Sequence, residues 1–165
     1  MNTGLHDEFD RRLEALDLPR PWQLPEGTLA PNVRLVRVSG RRVVIAGHNP
    51  IDALGRVTGP FGRVGDTVSL AQARESCAAT MRGVLASLQQ EIGHLSRVGA
   101  WIKIDGWVNA VPGFVDLPAI MNPASEIVYR LFGPEVGAYA RYVVGVTGLP
   151  FGAPVEFAAE VELAN

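Results

Sequence analysis

Hydrophobic positions recur along this chain with two periods. A period near 3.6 predicts helices: Leu5, Phe9, Leu13 and Leu16 leave the charges of residues 4–18 on the opposite face, and Leu70, Ala73, Cys77, Met81, Val84, Leu88 and Ile92 form one stripe. Ser69 with Gln72 three residues on makes a capping box ahead of that second stripe, and Gly93 ends it. A period of two predicts strands. Val33, Leu35, Val36 and Val38 precede Ser39-Gly40, and Val43, Val44 and Ile45 follow, which reads as a hairpin. Residues 98–108 alternate, with Trp101, Lys103, Asp105 and Trp107 on one face and Ile102, Ile104 and Val108 on the other; both tryptophans are therefore expected together, against another subunit. Near the end of the sequence, Val143, Val144, Val146 and Thr147 form a β-branched run, and Val155, Phe157, Ala159, Val161 and Leu163 alternate with Glu156, Glu160 and Glu162. Between these strands a helix is expected from Asn122 as N-cap and Pro123 as first helical residue, with Ile127, Val128, Leu131 and Phe132 as its apolar face and Gly133-Pro134 as its stop.

The order hairpin, helix, strand, helix, strand, strand predicts an α+β domain, a mixed sheet with two helices on one face. The other face needs a partner, which argues for an oligomer. Pro19, Pro21, Pro25 and Pro31 keep their segment extended, so residues 1–31 read as an amphipathic helix and a linker with little structure of its own, ahead of a domain at 32–165.

Composition narrows the classes. At 165 residues one domain suffices, and a net charge of −2 with 19% charged residues gives no basic footprint, so no nucleic-acid partner is expected. No run reaches the eighteen or so apolar residues of a membrane span and the first residues are acidic and polar, so the expectation is a cytoplasmic protein without membrane contact. The single cysteine, Cys77, rules out an internal disulfide and a cysteine metal cage, and its place in the apolar stripe makes it a small buried hydrophobe. Gly55, Gly59, Gly62 and Gly65 precede no Gly-Lys-Ser/Thr and fit neither a P-loop nor a dinucleotide fingerprint, so their loop simply returns the chain to the sheet.

Arg141 followed eight and nine residues later by Leu149 and Pro150, then by Glu156 in a V-E-F-A-A-E-V strand, resembles the carboxy-terminal signature of the RidA (YjgF) family of enamine and imine deaminases. The resemblance implies a chorismate mutase-like fold assembled as a homotrimer with sites between subunits. It also implies that Arg141 binds a substrate carboxylate and that Glu156 positions and activates a water. Ala46-Gly47-His48-Asn49-Pro50 stands where the family has Ser-Gly-Gln followed by a proline: Gly47 and Pro50 agree, Ala46 lacks the hydroxyl, and His48 replaces the amide. Asn122 falls where the family has an asparagine near its site, and Lys103 falls on a lysine position that reads here as a solvated or interface residue. The family's tyrosine has no counterpart near residues 29–32. On this resemblance the site comprises Glu156 with Arg141, His48, Asn122 and Gly47, and His48 takes over donation to the substrate from the missing hydroxyls. No metal or organic cofactor is expected, because an imine is already electrophilic.

If residues 141–147 and 155–163 formed a direct hairpin, Glu156 would sit about 13 Å from Arg141 along the strand. The family's chemistry therefore requires the final strand to be inserted elsewhere in the sheet, or the site to be completed across a subunit boundary. The expected activity is hydrolytic deamination of 2-imino acids or a related small carboxylated substrate. A non-catalytic module binding a carboxylated metabolite is the alternative, and an endoribonuclease ranks third because the chain lacks a basic patch.

Overall fold

The computed structural model describes residues 3–165, with side chains described from Glu8 onward. Its elements are α1 (Thr3–Glu14), β1 (Val36–Ser39), β2 (Arg42–His48), α2 (Leu70–Ile92), β3 (Val98–Asn109), α3 (Leu117–Val136), β4 (Ala140–Val146) and β5 (Val155–Leu163). They form an α+β fold with a five-stranded mixed sheet of order β1-β2-β5-β3-β4. The last strand in sequence lies at the centre, antiparallel to β2 on one side and to β3 on the other, while β4 pairs parallel to β3 at the edge. Direct pairing of β4 with β5 is thereby excluded.

The inner face of β5 carries Val155, Phe157, Ala159, Val161 and Leu163, all buried against the helices, and Glu156, Ala158, Glu160 and Glu162 alternate onto the other face. On α2 the Ser69 hydroxyl accepts from the Gln72 amide, the Gln72 side chain accepts from the Ser69 amide, and Gly93 closes the helix at φ 85°. Both signals function as the residues dictate. Cys77 is fully buried on this helix, and burial pushes its thiol up to about 12, so it packs as a hydrophobe.

Three expectations are corrected. First, β3 is not a regular alternation. Its register against β5 slips between Val98 and Ala100 and again between Trp101 and Lys103, one extra residue each time. The second bulge sends Trp101 into the core, edge-on to Phe132 at 5.6 Å, while Trp107 pairs with Glu156 on the uncovered face. Second, α3 begins at Leu117 with Pro118 in its first turn, so Asn122 lies inside the helix and is not its N-cap. Pro123 inside a helix frees the carbonyl four residues back, and that carbonyl, on Ala119, accepts from Arg74 Nη1 at 2.8 Å. Pro134 likewise frees the Arg130 carbonyl, which accepts from Arg12 Nη1 at 3.2 Å and helps dock α1, whose Phe9 stacks edge-on against Phe132. The expected stop survives as a break, with Gly133 outside helical geometry at φ 78°. The Leu5 side chain, also assigned to the apolar face of α1, lies outside the described residues.

Third, residues 19–33 are more than a linker. The Arg20 amide donates to Ala53 O at 3.0 Å and the Gln23 amide to Gly55 O at 2.7 Å, and a Cβ at Gly55 would collide with the Pro21 carbonyl. Trp22 is buried against His48, with ring centroids 5.0 Å apart. No helix among the described residues is long and apolar enough to cross a membrane.

Candidate functional site

The site grows from a bulge in β2. Ile45 pairs with Ala159 and His48 with Phe157, so Ala46 and Gly47 together face the single residue Ala158. The extra residue reverses the phase of the strand. His48, which plain alternation from the buried Ile45 would turn outward, joins it on the inner face.

His48 is fully buried. Its Nδ1 lies 2.8 Å from Ala46 O and its Nε2 2.9 Å from Ser87 Oγ. A carbonyl only accepts, so the proton sits on Nδ1 and the serine hydroxyl donates to Nε2. Desolvation lowers the imidazole pKa to about 4. The expectation that His48 reaches the cleft and hands protons to a substrate is therefore overturned; it is a neutral core residue that supports the bulge from behind.

In front of the bulge lies Glu156. Asn49, itself buried, donates from Nδ2 to Glu156 Oε2 at 3.2 Å. Gly47 leaves room for this carboxylate: a Cβ there would overlap Glu156 Oε1 and push the carboxylate out of its present position. The carboxylate is half-buried, and desolvation raises its pKa against the opposing effect of the Asn49 bond. It stands at the base of a cavity of about 390 Å³, walled by apolar side chains from β2, the proline-rich segment and the turn at Phe151. Gly47 and Glu156 thus lie side by side at this cavity. Asn49, two residues beyond the Gly47 bulge and directly before Pro50, was not among the expected site residues.

Arg141 and Asn122 form a separate group. Arg141 pairs with Ile104, which is level with Ala159 on β5, so it stands two strands and three residues from Glu156, about 14 Å away. It also faces the helices, whereas Glu156 faces away from them. Both its terminal nitrogens donate to Asn122 Oδ1 at 3.2 Å, Nη1 donates to Ser125 Oγ at 2.9 Å, and Nη2 to Pro118 O at 3.3 Å. These are neutral acceptors, and among the described residues no carboxylate comes within ion-pair distance of the guanidinium. Within one chain the structure does not bring Arg141 and Glu156 together.

Lys103 on the uncovered face pairs with Asp105 at 2.6 Å, and that hydrogen bond raises its pKa, so it is a solvated ammonium. The same face carries Trp107, Val144 and Ala158, together with Val44 and Tyr142, which are exposed. It is apolar around the pocket and charged at the far end, where Arg42 and Glu160 pair at 2.6 Å.

No protein-family model matches the sequence. Protein TCP17 of Trypanosoma cruzi is 35% identical over 127 residues, 77% of this chain and 78% of that protein. Among solved structures, the Agrobacterium tumefaciens protein Atu1372, of unknown function, superposes with a TM-score of 0.80 at 31% identity, covering 98% of this chain and 95% of that one. A Shewanella oneidensis protein provisionally described as an endoribonuclease gives 0.79 at 23% identity over 94% and 99% of the two chains. A Yersinia pestis member of the conserved Rid protein family gives 0.56 at 16% over 81% and 90%; at such identity these last two speak for the fold alone. TCP17 and Atu1372 match across most of their length, so the chain belongs to one family with them; it has the fold of Rid proteins and carries Arg141, Leu149-Pro150 and Glu156 at the spacing that resembles the RidA/YjgF signature.

Proposed function

We propose that the protein hydrolyses the C=N bond of 2-imino acids, with Glu156 as the general base. The observation that supports this best is the environment of that carboxylate: half-buried, steered by Asn49, against Gly47, and raised in pKa by desolvation at the base of an apolar cavity. A carboxylate of raised pKa is a stronger base than one in water. Water oxygen bonds to the imine carbon while its proton passes by way of Glu156 to the imine nitrogen, giving a carbinolamine. Glu156 then moves the hydroxyl proton to the same nitrogen, the C–N bond breaks, and ammonia and a 2-oxo acid leave.

The substrate carboxylate is assigned to Arg141 of a second copy. Its guanidinium is held at the sheet edge by neutral oxygens, which orient it without neutralising it, and a fork of that kind grips a carboxylate with two charge-assisted bonds. A homotrimer with sites between subunits would supply that second copy, and the apolar part of the uncovered sheet face supports such an assembly. Ala46, which lacks the family's hydroxyl, favours the alternative of a carboxylate-binding module without chemistry.

The deciding measurement is ammonia release from freshly generated 2-imino acids. Wild-type protein should accelerate it, and Glu156→Gln and Arg141→Ala should each remove the acceleration. If wild type accelerates none of several imino acids yet is stabilised by carboxylated ligands in a thermal-shift assay, the binding-module reading replaces this one.

A further inference from the structure

We infer that the cavity above Glu156 selects 2-imino acids with a branched aliphatic or aromatic side chain, and that the proline-rich segment 19–33 supplies the selecting wall. This rests on the deaminase reading of the same site. The sheet contributes the polar floor, Glu156 and Asn49, and little else that could distinguish one substrate from another. Selection falls to Trp22, Leu24, Leu29 and Val33 from the segment and to Phe151 from the turn before β5.

Three large apolar side chains, Leu29, Val33 and Phe151, are 39–43% exposed, and all three converge on this one cavity. Apolar surface left open toward a concave site is surface that a ligand covers. The wall is also pre-organised. Trp22 is anchored by the backbone bonds of residues 20 and 23 to the 53–55 loop, and it meets Phe151 edge-on at 6.3 Å. Phe151 is held at φ 60°, a left-handed conformation that a bulky residue rarely adopts, so the fold fixes the ring at the cavity rim against a local preference.

A side chain from a second copy is a poorer occupant. It would seal a desolvated carboxylate with nothing to replace the lost water, whereas a substrate brings a water and a polar C=N group to it. A methyl-sized substituent would leave most of the wall uncovered. Each further methylene buried there is worth roughly fourfold in affinity.

The stable 2-oxo acid products serve as probes by titration calorimetry with the wild-type protein. Phenylpyruvate and 4-methyl-2-oxopentanoate are expected to bind at least about tenfold more tightly than pyruvate. Leu29→Ser and Phe151→Ala should each shrink that preference at least threefold. Equal affinity for the three acids, no binding by any of them, or an undiminished preference in both variants overturns the inference. A clear preference without any acceleration of imine hydrolysis would instead leave the selecting wall standing and remove the proposed chemistry.

Discussion

Acid should weaken this fold through His48, and the size of the effect follows from its surroundings. The imidazole is buried between the Ala46 carbonyl at Nδ1 and the Ser87 hydroxyl at Nε2, with no carboxylate among the described residues beside it to offset the loss of water, and burial lowers its pKa to about 4 against about 6.5 unfolded. A lowered folded pKa means that the stability is complete above pH 6.5 and is lost as pH falls toward 4, because the unfolded chain takes up a proton that the fold refuses. From pH 7.5 to 5 the loss is about 2 kcal/mol, and by pH 4 it approaches about 3 kcal/mol. The first figure corresponds to a fall in melting temperature of roughly 4–8 °C for a domain of this size. The assay is urea unfolding of wild type and His48→Gln at pH 7.5 and 5, at one protein concentration. The pH-dependent loss should be about 2 kcal/mol larger in wild type, because the amide does not titrate. Equal losses in the two proteins would refute the buried, neutral His48.

Further outcomes follow from the geometry. Gly47→Ala places a methyl where Glu156 Oε1 lies, so imine hydrolysis should fall tenfold or more with little change in melting temperature, and unchanged kinetics would contradict that contact. The folded pKa of Glu156 is raised, so its charge costs stability as pH rises through that value; Glu156→Gln should be at least as stable as wild type at pH 7, and the acid limb of kcat/KM should lie above an ordinary glutamate's. Arg74→Ala leaves the Ala119 carbonyl freed by Pro123 without its partner and should cost about 1–2 kcal/mol in urea unfolding, while light scattering should find a particle near three times 17.7 kDa rather than one.

Much of this architecture is written in local pattern. The capping box at Ser69, the limits of α2 and β5, and the hairpin around Gly40 all follow from residues acting within a few positions of one another. What escapes a periodic reading is a change of phase. One inserted residue in β2 turns His48 inward, and one in β3 separates Trp101 from Trp107; in both cases apolar and polar positions remain plausible in either phase. The start of α3 is hidden for a different reason. Pro123 looks like a first helical residue because the arginine that satisfies the freed carbonyl lies 45 positions away on α2. The proline-rich segment reads as a linker because its hydrogen-bonded anchors are backbone groups, which carry no residue signature, and its one buried aromatic, Trp22, stands outside any periodic pattern. Of the candidate site, Gly47 and Glu156 are legible and do meet, whereas the distance of Arg141 from them within one chain depends on a strand order that no local signal encodes.

The central place of β5 has a consequence for biogenesis. The hairpin β1-β2 and the β3-α3-β4 unit share no strand pairing except through β5, so a nascent chain that has not yet produced it presents two additional open edges, on β2 and on β3, beside the outer edges of β1 and β4. Open edges pair with whatever strand is nearby, including another copy of the same chain. On β5 itself Glu156, Glu160 and Glu162 stand on one face, and like charges brought level with each other repel, which disfavours in-register pairing between two copies of this strand.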